Sequence, residues 1–126
     1  MTIREQFQAD VDEFISDLHT FASGSYLREE DKEFWEQPFD PKVLPDLQKL
    51  IEMFLDALET LDDDPGSEEL VAVVENFHTN IYAFNEQHAN AVLEPEEKEE
   101  LQQLIYNASA ATGAEEEALN QLPDLE

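Results

Sequence analysis

Apolar residues in this chain recur at steps of three and four, and that spacing limits its fold more than any other feature. Phe7, Val11, Phe14, Leu18 and Phe21 fall on one stripe of a helix expected from about Thr2 to Ala22. Thr2 and Glu5 read as a T-x-x-E capping box at its start, and Gly24 as its stop. A second stripe, Leu47, Ile51, Phe54, Leu58 and Leu61, follows Asp40-Pro41, a cap and a first-turn proline. Because Pro45 also lies near its start, the helix is expected to begin between Leu44 and Asp46. The run "LDDDPGSEE" then breaks the pattern at Pro65 and Gly66.

A third stripe comprises Leu70, Val73, Val74, Phe77, Ile81, Phe84 and His88. Ser67 is its expected cap, with Glu68 and Glu69 in the first turn and an end near Val92. The fourth helix opens on Pro95 with acids behind it and turns Leu101, Leu104, Ile105, Ala108 and Thr112 inward before Gly113. "AEEEALNQL" has room for one or two further helical turns before Pro123. No segment alternates with period two, and no Asn-Gly or Asp-Gly hairpin occurs. The expectation is one all-α domain over residues 1–126. Its architecture is an antiparallel up-and-down four-helix bundle with a short extra helix between the first two long helices and a short C-terminal helical segment.

The connection from Ser23 to Phe39 is too long for a simple bundle loop. It carries Tyr26, Phe34, Trp35 and Phe39, and a short helix is expected at about Leu27 to Glu36. Two readings compete for these aromatics: they close one open end of the bundle, or they form a patch for a partner or ligand.

Charge narrows the function classes. The 126 residues hold 32 Asp and Glu against 6 Lys and Arg, a formal net of −26, while 41% of residues are hydrophobic, enough for a core. Such a surface repels nucleic-acid phosphates and anionic lipid and attracts basic protein patches. Solubility and adaptation to high salt are the other readings of the same charge. Without cysteine, disulfides and thiolate chemistry are excluded. "MTIREQFQAD" lacks a basic segment followed by an apolar run, and no apolar run approaches the ~20 residues of a membrane span. A cytoplasmic location is expected.

Catalytic and metal patterns are sparse. Carboxylate-bridged metal pairs in bundles use two Glu-x-x-His motifs, and Glu75–His78 is one match without a second. On a helical wheel His78 falls on the flank of the core stripe and Glu75 toward solvent, whereas His88 falls within the stripe. Asn80 and Asn85 border it. "LDDDPGSEE" fails the EF-hand spacing: Gly66 comes one position early relative to Asp62, and Val73 stands where a bidentate Glu is needed. The acid pairs Asp63/Asp64 and Glu96/Glu97 read as helix-start charges. No P-loop or G-x-S-x-G is present.

"PFDPKVLPDLQKLIEMFLDALE", followed by "NIYAFNEQHANAVLEPEEKEEL", resembles a bacterial family of small acidic all-helical proteins of unknown function, over the last two-thirds of the chain. The resemblance implies the fold class and no activity.

The functional expectation is a non-enzymatic interaction or regulatory module that meets a basic protein partner, with no cofactor, as a monomer or homodimer. One alternative is a small-ligand- or metal-binding bundle with a pocket near His88, His78, Asn85 and Trp35. The other is a DNA-mimic or immunity-like inhibitor.

Overall fold

The computed structural model describes residues 2–24, 27–32, 35, 37, 39–61, 65–123 and 125. The regular secondary structure among its described residues is all helical: α1 (Ile3–Ser23), α2 (Glu29–Lys32), α3 (Leu44–Glu59), α4 (Ser67–Gln87), α5 (Pro95–Ala110) and α6 (Glu116–Leu119), with a 3-10 turn at Pro41–Val43. Among those residues no helix is long and apolar enough to cross a membrane.

Local chemistry explains most boundaries. The Thr2 hydroxyl accepts the Glu5 N–H at 3.1 Å, closing the first turn of α1. Gly24 ends it in the left-handed region (φ 70°), its N–H donating to the Thr20 carbonyl. The Asp40 side chain accepts the Lys42 N–H at 2.9 Å and starts the 3-10 turn, which runs into α3 at Leu44. Pro45 is tolerated because a first-turn N–H has no intrahelical partner to lose.

Three boundaries differ from the sequence reading. Among its described residues the inter-helix segment forms the four-residue α2 (Glu29–Lys32), and Trp35, inside the expected helix, is non-helical. Gly66, not Ser67, is the N-cap of α4, in extended backbone and with no side-chain bond; Ser67 is the first helical residue. The fourth element, α4, stops at Gln87 rather than near Val92. The reason is Asn85, whose side chain donates to the Leu93 carbonyl (3.2 Å) and accepts the Leu93 N–H (3.0 Å). Ala89 and Asn90 take left-handed φ of 59° and 57°, reversing the chain beneath that clamp. Such a conformation is costly for alanine and is held by the bonds around it.

One contiguous core draws on every long helix. Antiparallel packing of α1 on α3 is visible in the polar pairs along their seam. The Ile3 N–H donates to Glu59 (2.8 Å), Arg4 pairs with Asp56 (3.2 Å) and Glu52 (3.1 Å), and Gln8 donates to Glu52 (3.0 Å). As α1 advances, its partner on α3 recedes. Phe54 and Phe77 join α3 to α4 with rings stacked at 4.5 Å and 16°. The last helix, α6, packs on α4 and α5. The Leu125 N–H donates to the Gln102 side chain at 2.7 Å, anchoring the tail to α5.

Candidate functional site

The most chemically distinctive surface lies between α1 and α5. Asp10, Glu13 and Asp17 occupy positions i, i+3 and i+7 of α1 and so share one face. Glu96, Glu100, Gln103 and Asn107 form the matching row on α5, with Glu97 beside it. These rows wall a groove of about 300 Å³ over Phe14, Leu101 and Leu104. A smaller cleft of about 110 Å³ continues it past Glu96, Glu97, Leu18 and Phe21. Phe14, Asp17 and Glu100 belong to both, so the two form one trough, and no Lys or Arg lines either part.

The trough concentrates negative potential. Glu100 has its carboxyl pushed up from the ordinary glutamate value, first by partial burial and then by the charges of Asp17, Glu97, Glu13 and Glu96. Water still reaches it and moderates the penalty. Glu97 Oε2 is buried without a hydrogen-bond partner among the described residues. Carboxylates on two facing walls, with an apolar floor between them, suit a ligand that carries cations on an apolar body.

A second groove, about 460 Å³, runs between α3 and α4. His88 is on its wall, half-buried at the C-cap of α4 and edge-on to Phe84 (ring centroids 4.8 Å apart). The sequence reading placed His88 inside the core stripe; the end of α4 at Gln87 leaves it at the rim instead.

The remaining residues singled out from the sequence separate. Asn85 is buried and spends its side-chain amide on Leu93, which makes it a clamp rather than a pocket wall. His78, expected on the flank, is 5% exposed, while Glu75 is exposed as expected. The correction has a geometric cause. This helix buries two adjacent rows: Phe77 and Phe84 turn to α3, and Val74, His78, Ile81 and Asn85 form a second row. A single apolar stripe merges Val74 and Ile81 with the first row and leaves the polar members of the second, His78 and Asn85, at its border. His78 meets Tyr82 edge-on with centroids 6.1 Å apart. Among the described residues no three His, Asp or Glu side chains are gathered to hold a metal ion.

Of the aromatic segment, Phe39 is buried in the core and Trp35 is half-buried. The Trp35 ring lies on Gly24, where an added Cβ would stand 2.9 Å from Cζ3. Trp35 lines neither groove, so neither of them joins it to His88. Tyr26 and Phe34 lie outside the described residues, as do Asp62, Asp63 and Asp64 of the calcium-like run.

Sequence reading missed the α1 face of the trough. The signal was present in the i, i+3, i+7 spacing of Asp10, Glu13 and Asp17, but in so acidic a chain it looks like any solvated face. Glu96 and Glu97 do stand in the first turn of α5, as expected, and also wall the trough.

Comparison with known proteins finds no matching family model, no matching curated protein and no matching solved structure.

Proposed function

We propose that this chain is a non-enzymatic interaction or regulatory protein that receives a basic protein partner in the α1–α5 trough. The observation that carries the reading is the convergence of carboxylates from two helices on one apolar-floored trough whose lining has no cation. Glu100 is raised first by partial burial and then by the charges of Asp17, Glu97, Glu13 and Glu96, and a basic partner would offset the charge part of that penalty. We further propose the antiparallel up-and-down four-helix bundle as the scaffold. The opposed runs of α1 and α3 support it, as do Phe21 meeting Glu96 at one end of the α1–α5 seam and Asp10 meeting Asn107 at the other. In the same reading the protein works in the cytoplasm.

A second reading, a DNA-mimic or immunity-like inhibitor, is favoured by the two opposed rows of carboxylates that flank the trough. It differs in that the partner's nucleic-acid site would be what the trough occupies.

The test is retention of basic proteins from a lysate at low salt on two immobilised variants. One neutralises the trough (Glu13→Gln, Asp17→Asn, Glu100→Gln); the other removes as many charges elsewhere (Glu5→Gln, Glu75→Gln, Glu86→Gln). Retention by the wild type and the second variant, lost from the first and released by salt, is the expected result. Equal retention by both variants, or none by the wild type, defeats the proposal. Competition by duplex DNA for the captured partner selects the mimic reading.

A further inference from the structure

We propose that a second copy of this chain docks on the face formed by α3 and α4. In a chain with 32 acidic residues, this groove carries one carboxylate, Asp46. Its walls are otherwise neutral, apolar or basic: Lys49, Leu50 and Met53 from α3, and Asn80 and Ala83 among those from α4. Helical spacing extends the same face to Ala57, one turn beyond Met53, and to Asn76, one turn before Asn80. Met53 is 55% exposed, the most exposed large hydrophobic side chain among the described residues.

The charge pattern argues for a copy of this chain rather than an unrelated occupant. Two molecules of net charge −26 repel wherever their acidic faces meet, and this face is where that repulsion is least. A contact between unlike faces would set carboxylates against Met53, whereas a two-fold contact sets acid-poor surface on acid-poor surface. The face is also self-complementary. Asp46 and Lys49 stand three residues apart on one wall, so a two-fold axis that crosses α3 between them places Asp46 of each copy opposite Lys49 of the other. Among the described residues Lys49 forms no ion pair within its own chain, despite the excess of acids around it.

This surface is separate from the acidic trough, and its test does not depend on the basic partner. Sedimentation velocity from micromolar to millimolar protein, at low and high salt, should show a reversible monomer–dimer equilibrium that tightens as salt screens the net charge. Met53→Glu, and independently Ala83→Glu, should leave only monomer while the melting curve of the chain is preserved, because both positions are exposed. Lys49→Glu and Asp46→Lys should each weaken the dimer by about tenfold, the sum of two lost surface pairs and the repulsions that replace them. Mixing those two variants should restore dimer as a heterodimer, and the double swap Asp46→Lys with Lys49→Glu should restore the homodimer. A wild type that is monomeric at every concentration and salt overturns the proposal. So does a dimer indifferent to Met53→Glu, or a charge swap that fails to rescue.

Discussion

The two grooves of this molecule are built from the same parts and differ in what lines them. Each lies between two amphipathic helices, yet one is walled by carboxylates on both sides and the other is nearly free of them. The helices behind the second groove are tied together by the Phe54–Phe77 stack, whereas in the first Glu100 is raised by partial burial and then by the acids of both helices. Acids from two helices face one another across the first groove, whereas the second carries a single carboxylate, Asp46.

The largest effect that would break this contrast is expected in the core. Phe77→Ala removes half of the α3–α4 stack and should cost about 3–5 kcal/mol in urea denaturation. Leu104→Ala, on the floor of the trough, should fall at the lower end of about 2–5 kcal/mol, because the site is already bordered by open space. Equal losses would mean that the two seams are packed alike.

An intermediate effect is expected at the turn that sets the rim of the second groove. Asn85→Ala leaves the Leu93 N–H and carbonyl buried without their partner, at a cost of about 1–3 kcal/mol. Amide hydrogen exchange at Leu93 should accelerate with it. Unchanged protection there would show that the reversal at Ala89 and Asn90 holds without the clamp.

The smallest effect sharpens the electrostatic side. The folded Glu100 carboxyl keeps its proton at higher pH than the unfolded one, so the folded state binds more protons between those two values. Its penalty is absent below the ordinary carboxylate value and complete above the raised one. Glu100→Gln should therefore stabilise the chain at neutral pH by less than about 1 kcal/mol, moderated by solvent. Thermal melts should show the wild type catching up with the variant as pH falls into the mildly acid range. A variant no more stable than the wild type at neutral pH would show that the ionised Glu100 carries no penalty in the folded state.

Much of the helical frame was legible because it depends on neighbours along the chain. Capping by Thr2, the left-handed stop at Gly24, the proline starts at Pro41 and Pro95, and the stripes of α1 and α3 are all short-range events. The misreadings fall where contacts between distant residues decide. The end of α4 depends on Asn85 reaching Leu93, eight residues on. His78 is buried because α4 packs two of its rows, which no single-stripe wheel expresses. Trp35 against Gly24 joins the inter-helix segment to the end of α1 across eleven positions. The trough was hidden for a related reason: each acidic row alone is an ordinary solvated face, and only their juxtaposition is unusual.

The sequence by itself determined that this chain is helical, where its long helices begin to within a residue or two, which stripes are apolar, and that its net charge is strongly negative. Periodicity, caps and charge are local or additive quantities, readable without knowing which helix meets which. Tertiary structure decided the rest: that α1 and α5 bring their acids together, that α3 and α4 present the acid-poor face, and that Asn85 is a clamp while His88 is a rim. Those outcomes depend on the pairing of helices far apart in the chain, and the free energy of pairing is spread over the whole core rather than written in any one stretch.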